Sequence, residues 1–189
     1  MRKLLVVLAM AGLLALLLSI PAQAQMGSGL PFHVTLQGEK QGPIDGSCTM
    51  KGREKTILGW RFQYTVAIPT DAQTGLPSGK RRHQPVVITK DLDKSSPKLF
   101  RACVTGEHMK EVRMKFYRID PKGKDEHYYT IILEDAVIQS IRQYPNRLDL
   151  NELSRKLDVE DISFTFKKIK MTWEIDGIES EDSWAVPLR

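Results

Sequence analysis

The chain has 189 residues, of which 41% are hydrophobic and 27% charged, with 28 Lys and Arg against 23 Asp and Glu. That is enough apolar material for one ordinary core, with no need of metal or disulfide staples. The mild basic excess is spread along the chain and supports no nucleic-acid-binding claim, which needs a clustered basic face.

Arg2 and Lys3 precede an uncharged apolar run from Leu4 to Leu18, followed by Pro21 and the small-residue triplet Ala22-Gln23-Ala24. This is the layout of a cleavable signal peptide over residues 1–24, which leaves residues 25–189 as a single domain. The apolar run is shorter than the roughly 20 residues that span a bilayer. No Cys follows it to carry a lipid, and no later stretch is apolar enough to cross a membrane. The mature chain is expected to be soluble, secreted or periplasmic, with no stable membrane insertion.

Pro31 to Leu36 reads as a first strand and Gln37 to Gly46 as a loop. From Thr56 to Ile68 the large residues Leu58, Trp60, Phe62, Tyr64, Val66 and Ile68 alternate with smaller or polar ones. A period of two predicts one long strand with all six on the core face. Pro69 to His83 carries Pro69, Gly75, Pro77 and Gly79 and then Lys80-Arg81-Arg82, a long exposed loop of the kind that is more often functional than idle. A strand follows at Pro85 to Thr89. Next comes a short helix in which Ser96 is expected to cap, Pro97 to fill the first turn, Leu99, Ala102 and Cys103 to share a face, and Gly106 to end it in a left-handed conformation.

Lys110 to Ile119 and His127 to Leu133, joined by Asp120-Pro121-Lys122-Gly123, form a predicted hairpin. Ala136 to Gln143 reads as a further strand, and Tyr144 to Val159 as a connection with a helical turn at Leu150 to Leu157. In the last long strand Ile162, Phe164 and Phe166 are out of phase with Ile169, Met171 and Trp173, which predicts a β-bulge near Lys167-Lys168. The expected fold is mostly β, an antiparallel barrel or two-sheet sandwich with one short helix. Its polar outward residues Arg61, Gln63, Arg113, Lys115 and Lys167 suit a wet surface or channel.

No catalytic or cofactor motif emerges. His33, His83, His108 and His127 are scattered outside any metal-ligand spacing, and no serine lies in a GxSxG elbow. The carboxylate pairs Glu134-Asp135 and Glu160-Asp161 fall at strand ends, where solvated acids are common. Glu107 and His108 are strand neighbours that point to opposite faces. Cys48 and Cys103 are read as buried thiols acting as small apolar residues, with one disulfide open to them in an oxidising compartment.

The run Thr89-Lys90-Asp91-Leu92-Asp93-Lys94-Ser95-Ser96-Pro97-Lys98-Leu99, continuing through Ala102, Thr105-Gly106 and Lys115-Phe116-Tyr117-Arg118, resembles the haemolysin-coregulated protein (Hcp) family, the tube subunits of bacterial type VI secretion systems. The resemblance extends to Ile68-Pro69-Thr70-Asp71 with Thr74-Gly75, to Lys168 through Trp173, and to Asp182-Ser183-Trp184. It implies a two-sheet antiparallel β-barrel with one short α-helix, whose motif residues are Asp93, Ser95, Ser96, Pro97, Leu99, Ala102, Gly106, Tyr117, Trp173 and Trp184. It also implies a homohexameric ring, stacking of rings into a tube, a lumen that carries effectors, and spike and sheath partners, with no cofactor and no enzyme activity. The loop from Pro69 to Arg82 then corresponds to the family's extended loop, and Thr70, Asp71, Gly75, Lys80, Arg81 and Arg82 are its expected ring-stacking residues. The signal peptide departs from the family pattern. Translation from Met26 would give a form without it that assembles in the cytoplasm before secretion, whereas the exported form could be a periplasmic or extracellular binding module that does not build tubes.

Overall fold

The computed structural model describes residues 31–145 and 158–184. The expected leader and the expected helical turn at Leu150 to Leu157 lie outside them. The strands are β1 (Phe32–Gly38), β2 (Gly42–Ile44), β3 (Ile57–Gln63), β4 (Val66–Ala67), β5 (Arg82–His83), β6 (Val86–Asp91), β7 (His108–Ile119), β8 (Asp125–Pro145), β9 (Asp158–Thr165), β10 (Lys168–Trp173) and β11 (Ile178–Ser183); α1 (Ser96–Thr105) lies between β6 and β7.

Six strands close into an antiparallel barrel in the order β8-β7-β1-β3-β6-β9, because β9 pairs with β6 on one side and with the second half of β8 on the other. The first half of β8 pairs with β10, which carries β11 at the sheet edge. Strand β8 therefore serves both the closed barrel and the β10–β11 extension of the same sheet. The sequence reads its two halves as separate strands, but they form one 21-residue strand that turns at Asp135, a non-glycine residue with φ of 50°. The β7–β8 hairpin is the predicted one. The Asp120 carboxylate accepts the Lys122 and Lys124 N–H groups at 2.8 Å each, and Gly123 takes the positive φ of the turn.

Four more expectations are corrected. The strand foreseen over Thr56 to Ile68 ends at Gln63, and a register shift between Gly59 and Arg61 breaks its alternation. Ile57 and Gly59 face inward before the shift and Phe62 packs on the core after it, while Trp60 is half-exposed and Leu58 intermediate. The phase change near Lys167 is not a bulge. Strand β9 ends at Thr165, Phe166 and Lys167 bridge, and β10 begins on the other half of β8.

Ser96 does not cap α1. Its hydroxyl accepts the Asp93 N–H at 3.0 Å and donates to Glu160 Oε1 at 2.6 Å, while Pro97 occupies the first turn and Gly106, at φ 60°, ends the helix. Leu99 and Ala102 enter the core as expected, and Cys103 packs at its edge. Glu160, expected in solvent, is completely buried at the barrel end.

Candidate assembly surface

Between β3 and β6 the chain leaves the barrel as an ordered arm. Its base is a two-residue ladder, Val66 opposite His83 and Ala67 opposite Arg82, and a second bridge joins Thr70 to Pro77. The tip is closed by Asp71. Its carboxylate accepts the N–H groups of Gln73 (3.0 Å) and Thr74 (2.8 Å) and the Thr74 hydroxyl (3.0 Å), and these bonds hold the carboxyl below its usual range. Gly75 supplies the positive φ of 69° that the turn requires. The sequence foresaw an exposed loop with Gly75 among its turn residues, whereas Asp71, which closes the tip, entered that reading only through the family resemblance. Apolar groups remain outside, with Val66 and Ile68 about half-exposed and Leu76 64% exposed.

The three cations at the base of the arm have different fates. Lys80 and Arg82 are exposed. Arg81 turns back onto the barrel, where its guanidinium makes two hydrogen bonds to the Asp182 carboxylate and one of 2.8 Å to the Ser183 carbonyl. Two positions on, His83 is buried. It donates from Nε2 to Asp182 at 2.9 Å and accepts the Tyr64 hydroxyl on Nδ1 at 2.6 Å. Phe166 meets the His83 ring edge-on at 5.6 Å, and Trp184 covers it at 5.1 Å. Burial opposes the charge on Asp182, but hydrogen bonds from Arg81, the Ser183 N–H and His83 outweigh it and keep the carboxyl below its ordinary range. Burial and then the Asp182 charge push the Tyr64 hydroxyl up.

The other motif residues lie elsewhere. Asp93, Ser95, Ser96, Pro97, Leu99, Ala102 and Gly106 build the two ends and inner face of α1. Tyr117 lies 3.3 Å beneath the Arg53 guanidinium, which also binds Asp125 at the hairpin tip. Trp173 donates its indole N–H to Asp176 at 3.0 Å. Of the motif only Trp184 meets the arm.

On the outward faces Arg61, Gln63 and Lys167 are exposed, Lys115 is partly so, and Arg113 is bound by both oxygens of Glu111 at 2.8 and 2.9 Å. Cys48 and Cys103 are free thiols. Among the described residues no group of three or more His, Cys, Asp or Glu is placed to hold a metal ion, and no helix is long and apolar enough to cross a membrane. Sequence reasoning missed the linkage of Tyr64, Arg81 and His83 to Asp182. Its only trace was the closing Asp182-Ser183-Trp184, 99 positions beyond His83.

Residues 33–173 match the profile of the family described as "Type VI secretion system effector, Hcp". The chain is 37% identical over 167 residues to the "Major exported protein" of Pseudomonas aeruginosa PAO1, covering 84% of this chain and 97% of that one. Among solved structures it is similar to "Secreted protein Hcp3" of Pseudomonas aeruginosa, with a TM-score of 0.68 and 34% identity, covering 82% of this chain and 99% of that one. A mutant form of the Hcp1 protein of Escherichia coli EAEC 042 is similar at a TM-score of 0.71 and 30% identity, with the same coverage.

Proposed function

The chain belongs to the Hcp family of type VI secretion proteins, and from that premise we propose that it is a structural tube subunit whose copies close into hexameric rings that stack head to tail and carry effector proteins in the lumen. The observation that carries the stacking part is the ordered arm between β3 and β6, which presents Lys80, Arg82, Ile68 and Leu76 to solvent. An arm built on one end of a closed barrel needs a receiving surface elsewhere on the next copy. Such a heterologous contact repeats without closing and so generates a filament. In this reading Thr70, Asp71 and Gly75 shape the tip, Lys80 and Arg82 make the contacts, and a spike and a sheath complete the assembly. No catalytic step is assigned to the chain.

A second reading has its own support. The basic, apolar and small-residue order of residues 1–24 directs the chain into general export, and an exported copy that does not stack would act as a binding module outside the cytoplasm. Native mass spectrometry of the protein taken from its own cells separates the two. Six chains per particle, whether they begin at Gln25 or near Met26, support the ring, and the starting residue tells which route the chain took. A processed monomer would sink the tube reading in favour of the binding module.

A further inference from the structure

The buried contact between the arm and the last strand is more elaborate than a loop needs in order to be tethered. Asp182, on the edge strand β11, binds both Arg81 and His83, and His83 is in turn held by Tyr64 across the base of the arm. Tyr64 lies on the outgoing limb, Arg81 and His83 on the returning limb, so the carboxylate holds the returning limb directly and the outgoing one through His83. Trp184 closes the site from outside, its backbone N–H donating to the Lys167 carbonyl at 3.2 Å. Strand β11 is held in register by its continuous ladder with β10, from Lys168 opposite Ser183 to Trp173 opposite Ile178, and the ion pairs Lys168–Glu181 and Lys170–Glu179, each 2.7 Å, lie along it. The anchor is thus fixed to the barrel and the arm is fixed to the anchor.

We infer that Asp182 and Trp184 are positioning residues for assembly, which set the direction in which the arm leaves the barrel and so permit stacking without taking part in the contact between copies. The ladder at the base of the arm is only two residues long, and a two-stranded ribbon has little stability of its own in water. Its orientation therefore comes from side-chain contacts at the base. Arg81 and His83, drawn towards Asp182, cannot also face outward, which leaves Lys80 and Arg82 as the projecting cations. The assignment rests on the stacking reading above, but the state of the arm can be measured in an isolated ring or even in a monomer.

The test compares the intact protein with Asp182→Asn, which keeps the shape but loses the charge, and with Trp184→Ala, which removes a half-exposed ring outside the core and serves if the first variant fails to fold. Hydrogen exchange of the arm amides and tryptic cleavage after Lys80 and Arg82 report the arm. Native mass spectrometry reports ring formation, and electron microscopy reports tube length. The expected result is exchange and cleavage faster by about tenfold, the scale of one lost charge-assisted hydrogen bond, with rings retained and tubes shortened. Asp182→Glu should recover a large part of the tube length. Unchanged protection of the arm in both variants would overturn the inference, as would a loosened arm on tubes of normal length. If the unaltered protein forms no tubes, the stacking reading fails first, and unchanged exchange in the variants remains decisive against the anchor.

Discussion

Lys90 and Glu160 are exposed by only 1% and 0%, and desolvating two such ions costs several kcal/mol each. They are tolerated because their polar atoms are answered. Lys90 Nζ reaches Glu160 (2.7 Å), the Asp91 carbonyl (2.7 Å), Ser96 (3.1 Å) and Asp93 (3.0 Å), and Gln143 donates to the other Glu160 oxygen at 3.0 Å. Lys90→Ala leaves a buried carboxylate without its cation and is expected to cost roughly 3–5 kcal/mol in urea unfolding. Lys90→Met with Glu160→Met should cost clearly less than the single change; an equal or larger cost would mean that the pair is no isolated liability. His33 gives a pH prediction. Its Nδ1–H donates to Thr56 (2.8 Å) and its Nε2 accepts Arg53 (3.4 Å), so the folded chain holds it neutral; burial and then the Arg53 charge, opposed by Asp125, lower its affinity for a proton. Burial, opposed by Glu174 and reinforced by Lys115, does the same to His127. Because the unfolded chain takes up protons first, stability is complete above the ordinary value of 6.5 and is lost as pH falls below it. Unfolding midpoints followed between pH 8 and pH 5 (about the range over which such histidines titrate) should decline only below 6.5, and less in His33→Gln. An identical decline in that variant would remove His33 from the account.

At the scale of the element, β3 shows how a legible pattern misleads. The alternation from Leu58 to Ile68 is real, but a register shift lies inside it, and its cause is Gly59. A Cβ there would lie 2.2 Å from the Phe32 ring, which is stacked on Phe116 at 4.9 Å and edge-on to Phe62 at 6.4 Å. The strand brings its backbone down onto Phe32 and resumes with Phe62 inward. Gly59→Ala must push a ring that has no room to move, and is expected to destabilise by about 1–3 kcal/mol; a shift below about 0.5 kcal/mol in thermal or urea unfolding would show that Phe32 can yield. Elements marked by local chemistry were readable from sequence. Pro97 and Gly106 fixed the helix, Asp120 and Gly123 the hairpin turn, and Gly75, with its neighbouring prolines, the exposed arm. What could not be read depended on partners far along the chain. Nothing near Asp135 announces that β8 runs on through a positive φ, because the need arises from pairing β10 before the bend and β9 after it. Glu160 looks like a solvated strand-end acid until Lys90 is placed beside it. The Ser96 hydroxyl, an obvious cap by position, was drawn into that same pair.

For the whole molecule the important division is between closed and open parts. The six-stranded barrel has no free edge of its own, whereas β11 is an edge strand and the arm stands outside. The acids Glu179, Glu181 and Asp182 on that edge are already bound to Lys170, Lys168 and Arg81. Charged residues on an edge strand discourage unplanned pairing with other chains, which suits a protein whose proposed work is to associate in one geometry only. The barrel is closed by β6 and β9, and the contact that marks the closure, Lys90 with Glu160, joins residues 70 positions apart. Pairings of that separation form late, on a time scale of milliseconds to seconds. During its synthesis the chain therefore cannot complete its barrel until β9 has emerged, and until then β6 and the second half of β8 stand as open edges that only β9 can join.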